Sequence, residues 1–135
     1  MSSALLAFLI AVKPFFFGGV EPVGRATLVV ETSQVKEHGA GPAIARRVTL
    51  AGTALLRAAN VIEGGGPNDP VVRVMVRPLR GSALGYASTI SLHQSGRRVS
   101  VTRERCSLCT EGELVAGVER SLARLAPSVR DLVRG

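Results

Sequence analysis

VVRVMVRPL (Val71–Leu79), YASTISLH (Tyr86–His93) and RVSVTRER (Arg98–Arg105) follow one another with only short polar breaks between them. Each alternates with period two, the signature of a strand with one covered and one open face. In the first, Val72, Val74 and Val76 share a face, and Arg73, Met75 and Arg77 share the other. In the second, Tyr86, Ile90 and Leu92 point one way and Thr89, Ser91 and His93 the other; in the third, Val99 and Val101 are expected inward. Gln94-Ser95-Gly96-Arg97 has the composition of a hairpin turn, so the last two strands are antiparallel neighbours. The region therefore reads as a three-stranded meander.

Upstream, Ala26-Thr-Leu-Val-Val-Glu-Thr32 is β-branched, apolar and bounded by Gly24 and a polar stretch from Ser33 to Gly39, which predicts a strand. Pro42 after Gly41 suits the first turn of a helix. Ile44, Val48, Leu50 or Ala51, Leu55 and Leu56 recur at helical spacing to about Ala59. Val61-Ile62 adds an optional short strand before the turn Gly64-Gly65-Gly66-Pro67-Asn68-Asp69-Pro70. Downstream, Thr110 and Glu113 form a capping box that starts a helix at Glu111. Leu114, Val115, Val118, Leu122 and Leu125 are its buried stripe to about Leu125, and Pro127 starts a short amphipathic continuation through Val129, Leu132 and Val133. The expected architecture is α+β: one mainly antiparallel sheet of four to five strands with two helices on one face. The other face should carry Arg73, Arg77, Thr89, Ser91, His93, Arg98, Ser100, Thr102 and Glu104, either solvated or against a partner. The strand Ala26–Thr32 is expected at a sheet edge, as a second contact surface.

A chain of 135 residues supports one such domain, placed at residues 26–135, after a segment and linker at 1–25. The core must be aliphatic, because aromatics make up only 4% of the chain. A net charge of +7 invites an anionic partner. Yet 15 of the 17 basic residues are Arg, alongside abundant Ala, Gly and Val, a composition that a GC-rich genome also produces. The arginines are scattered and aromatic stacking platforms are missing, which argues against a dedicated nucleic-acid surface.

Ala4–Val12 is an apolar run of nine residues, the length of a signal-peptide core and far below the ~20 needed to span a bilayer. It lacks a basic residue before it and a good cleavage site after it. Export to the periplasm or cell envelope is the expectation, with membrane association through this segment as a variant. A mis-assigned start or a hydrophobic N-terminal strand is the competing reading, and it leaves a cytoplasmic location open. No cysteine lies near the run, so no lipid anchor is expected.

Cys106-Ser107-Leu108-Cys109 falls where the last strand stops and the capped helix starts. A disulfide closing the junction is the plain reading for an exported protein. A thiol–disulfide redox centre is the alternative, because a helix N-terminus favours the thiolate. Against it, thioredoxin-like chains place this motif after an early strand. A zinc site from Cys106, Cys109, His38 and His93 has no finger-like spacing, so no metal or other cofactor is expected. Motifs of serine hydrolases, zinc proteases and phosphate loops are absent, and Gly64–Gly66 lacks the Lys and Ser/Thr that a phosphate loop needs.

Leu28-Val-Val-Glu31, a helix, a meander ending in a cysteine-containing strand, and the Thr110-Glu-Gly-Glu-Leu114 helix start together resemble small periplasmic β/α modules. These occur at the amino end of the Tol–Pal propeller protein and in the curli-secretion lipoprotein. The resemblance covers Ala26 to about Leu125. It implies a non-enzymatic module that binds other envelope proteins. The chain lacks that family's lipid-attachment cysteine and any propeller or secretion domain. A basic nucleic-acid-binding protein remains the third alternative, after the redox protein.

Overall fold

The computed structural model describes residues 23–36, 40–79 and 85–134. Its elements run β1 (Gly24–Glu31), α1 (Ala40–Ala58), β2 (Val61–Glu63), β3 (Val71–Pro78), β4 (Gly85–Gln94), β5 (Arg97–Ser107) and α2 (Glu111–Arg134). The strands form one sheet in the order β2-β1-β3-β4-β5. The fold is α+β. β1 pairs in parallel with β2 over three residues and with β3 over five, whereas the antiparallel β3–β4 and β4–β5 ladders run over eight and ten. The sheet is thus mixed and mostly antiparallel.

β1 is not an edge strand. It begins two residues earlier than the sequence pattern suggested and lies between β2 and β3. Its first residues, Gly24 to Ala26, pair with β2, and Thr27 to Glu31 pair with β3 on the opposite side. Residues 64–70 must therefore carry the chain from one flank of β1 to the other. They cross at Thr27, whose hydroxyl donates to the Gly64 carbonyl and whose N–H donates to the Pro70 carbonyl at 2.9 Å. A Cβ on Gly64 would lie 2.7 Å from the Arg25 Cβ, so glycine is what lets the crossing chain approach the strand. Of the contact edge expected at Ala26–Thr32, the short strand β2 therefore covers only Ala26, while Thr27 to Glu31 pair with β3 alone.

The helices cover one face. Ile44 and Val48 of α1, Val61 of β2, Val72, Val74 and Val76 of β3, Leu92 of β4, and Val118 and Val129 of α2 are the largest fully buried side chains. Leu50, on the outer side of α1, is 68% exposed. Burying aliphatic side chains at about 25 cal/mol per Å² drives this two-layer packing. α2 runs unbroken through Pro127 instead of stopping near Leu125. Pro127 and Ala123, whose carbonyl loses its usual donor, both face solvent, so water can satisfy that group. Beyond Pro127, Val129 is fully buried and Leu132 and Val133 pack on the core, which rewards continuing the helix.

β5 is out of phase with the sequence reading. A bulge lies between Leu92 and His93, where His93 pairs with Arg98 but Leu92 pairs with Ser100. The extra residue, Val99, is 52% exposed. From there Ser100, Thr102 and Glu104 lie opposite Leu92, Ile90 and Ser88 on the helix side, while Val101, Arg103 and Arg105 lie opposite Ser91, Thr89 and Ala87 on the open side. The expectation that Val99 and Val101 point inward, and that Ser100, Thr102 and Glu104 lie on the open face, is overturned. Edge strand β5 reaches past the helices, so Ser100 and Thr102 stay exposed without facing the open side.

Candidate functional site

The ladder registers fix what the uncovered face displays. Across β3, β4 and β5, the open-side rows read Arg77–Ala87–Arg105, then Met75–Thr89–Arg103, then Arg73–Ser91–Val101, then Val71–His93–Arg98. The middle member of the first three rows is small, and the outer members are long except Val101. Ala87 and Ser91 are buried, at 7% and 6% exposure, although both described helices lie on the other face. They lie at the bottom of a trough along β4 whose walls are the side chains of β3 and β5. One end is a groove of about 300 Å³ bordered by Arg77, Leu79, Ala87, Thr89, Arg103 and Arg105, with Ser88 and Glu104, whose register positions are on the helix side, also at its border.

Arg73, Arg77, Arg98, Arg103 and Arg105 are all exposed. Glu31, opposite Met75 on β1, is the one acidic residue of these strands at an open-side register position. Among the described residues the only ion pair is Arg124–Glu104 at 3.2 Å, on the helix side. The five arginines thus have no carboxylate partner among the described residues, and Arg77 and Arg105 share one rung two strand spacings apart, with Arg103 on the next. A face built this way carries a positive potential that an anionic group would relieve. At the far end of the trough His93 Nε2 is 2.9 Å from Ser91 Oγ.

Of the residues expected on the polar face, Arg73, Arg77, Thr89, Ser91, His93 and Arg98 share the open side. Arg103 and Arg105 were missed, because the bulge at Val99 reverses the alternation on which sequence reading depends. One sequence signal bears on it: Ser100, Thr102 and Glu104 match a polar helix edge. Glu104 accepts hydrogen bonds from the Ser121 hydroxyl (3.0 Å) and from Arg124 (3.2 Å) on α2.

The strand–helix junction is closed by a disulfide between Cys106 and Cys109, with Cα atoms 5.7 Å apart. Leu108, in the left-handed conformation at φ 54°, makes the tight turn between them and is 77% exposed. Cys109 is buried beneath it. Thr110 then caps α2: its N–H donates to Glu113 Oε1 at 2.9 Å, and the Glu113 N–H donates to Thr110 Oγ1 at 3.1 Å. Both sulfurs are bonded to each other and so are not thiolate ligands for zinc. Among the described residues no three His, Cys, Asp or Glu side chains are grouped to hold a metal. His38 lies outside the described residues, as does the apolar run Ala4–Val12. No helix among the described residues is long and apolar enough to cross a membrane.

No family model matches the chain, and no curated protein matches it. Solved structures similar to it include a PelC dodecamer from Paraburkholderia phytofirmans at 15% identity, with a TM-score of 0.47, covering 82% of this chain and 94% of that one. A minor lipoprotein from Acinetobacter baumannii is similar at 13% identity and a TM-score of 0.39, over 85% and 93% of the two chains. The rare lipoprotein B of Shewanella oneidensis follows at 16% identity and a TM-score of 0.36, over 78% and 89%. Likenesses this distant assign no function. They also leave the resemblance to the Tol–Pal propeller module without support.

Proposed function

We propose that this chain is a non-enzymatic protein-interaction module of the bacterial cell envelope that binds its partner through the uncovered face of the sheet. The observation that carries the reading is the asymmetry of the two faces. One is sealed by α1 and α2; the other presents five arginines without carboxylate partners among the described residues, around a trough of small residues. The domain that begins with β1 at Gly24 acts as the binding domain, and the residues before it as the export segment and linker. The nine-residue apolar run supports export. So does the Cys106–Cys109 disulfide, a bond that persists in oxidising compartments.

Two measurements test this. Met1–Gly24 fused to a reporter active only outside the cytoplasm should give signal; activity only from a cytoplasmic reporter removes the envelope assignment. A photo-crosslinking amino acid at Thr89, in the trough, should yield a discrete protein adduct in the native host. The same group at Leu50, exposed on α1, should not. Equal labelling from both positions, or none from Thr89, would remove the sheet face as the binding surface.

A further inference from the structure

We infer that the trough along β4 takes an extended acidic segment of a partner protein, with carboxylates at alternate residues, an assignment that rests on the sheet-face reading above. The walls, β3 and β5, stand two strand spacings apart, about 10 Å, the width that one extended chain between them occupies. Along the walls, open-side residues recur every second position, about 6.8 Å, and same-side residues of an extended peptide recur at that same distance. Arg103 and Arg105 are successive on one wall, and Arg73 and Arg77 flank Met75 on the other. An Asp or Glu at every second position thus meets a guanidinium at successive rungs, with the planar fork suited to bidentate carboxylate contacts. Thr89 and Ser91 put hydroxyls on the floor, and small side chains leave room for the peptide backbone.

The same face is poorly suited to other polyanions. Single-stranded nucleic acid is held by aromatic stacking as well as charge. The one aromatic residue among those described, Tyr86, lies opposite Cys106 on the helix side and packs on the core. A lipid surface is broad, whereas the positive charge here lines the rims of a narrow recess.

The test titrates the full chain with a labelled peptide of alternating Asp and Ser, its Asn-Ser counterpart, an oligothymidylate of equal charge, and vesicles containing an anionic phospholipid. The Asp-Ser peptide should bind, and the Asn-Ser peptide should bind at least tenfold more weakly. Arg103→Glu with Arg105→Glu should weaken binding tenfold or more. Arg46→Glu with Arg57→Glu on α1, the same change in net charge, should alter it less than twofold. Thr89→Phe keeps every arginine but fills the floor, and it should also weaken binding at least tenfold, with circular dichroism verifying the fold. Equal effects of the two arginine pairs would reduce the attraction to net charge and overturn the inference. So would unchanged binding by Thr89→Phe, or tighter binding of the oligothymidylate or vesicles. A protein adduct from Thr89 without Asp-Ser binding would overturn the acidic strand while leaving the interaction surface in place.

Discussion

Gly24→Ala probes how the end of α2 returns to the sheet. A Cβ at Gly24 would stand 2.6 Å from Val133 Cβ and 2.9 Å from Val133 Cγ2, against ordinary carbon contacts of about 3.5–4.0 Å. Because the nearest atom is a Cβ and not the tip of a flexible chain, the backbone of β1 or α2 must yield by nearly an ångström. Overpacking of this kind costs about 1–3 kcal/mol. Replacing glycine within a strand returns about 0.5–1 kcal/mol, so the single change should destabilise by roughly 0.5–2 kcal/mol. Val133→Gly removes all three crowding atoms, and in that background Gly24→Ala should be neutral or mildly stabilising. The propensity effects of both substitutions cancel in the double-mutant cycle, leaving a coupling of about 1–3 kcal/mol. Urea denaturation followed by circular dichroism measures it, with about 4 °C in Tm per kcal/mol as a cross-check. A coupling below about 0.5 kcal/mol would show that residues beyond Pro127 do not seat against β1, and the continuous helix would be wrong.

Glu104→Ala should cost about 1–2 kcal/mol, because it leaves the buried Ser121 hydroxyl without its acceptor. Arg124→Ala should cost below about 0.5 kcal/mol, since its ion pair is largely exposed. Equally small effects of the two would put Glu104 on the open face and restore the other phase of β5. Arg73→Ser with Arg77→Ser should leave stability within about 1 kcal/mol, and a large fall in Tm would mean that this face is covered. Cys106→Ser with Cys109→Ser should still fold, losing less than the ~3 kcal/mol expected for a 15-residue loop, because so short a loop constrains the unfolded chain little. A variant that folds normally yet loses all biological activity would favour thiol–disulfide chemistry at this pair.

The elements legible in sequence are those whose burial pattern is local. Val72, Val74 and Val76 alternate without interruption, and all three are fully buried. Ile44 and Val48, and Leu114, Val115, Val118 and Leu122, recur at helical spacing and are buried as well. The failures share a cause of a different kind. Pro127 breaks a helix only where its lost hydrogen bond is not compensated, and the compensation comes from the core reached by Val129. The bulge at Val99 is a property of the β4–β5 pairing, since nothing within Arg98–Arg105 marks which residue is the extra one.

By itself the sequence determined the order and type of the strands and helices, the α+β class, the aliphatic core and the position of the cysteine pair at a capped helix start. Those follow from periodicity and short-range hydrogen-bonding chemistry, which act over a few residues. Only the tertiary structure decided that β1 lies inside the sheet, that Gly64 lets the chain cross it, and that Arg103 and Arg105 join Arg73 and Arg77 around one trough. Each depends on pairing between segments far apart in the chain, where a one-residue shift sends every side chain of a strand to the other face.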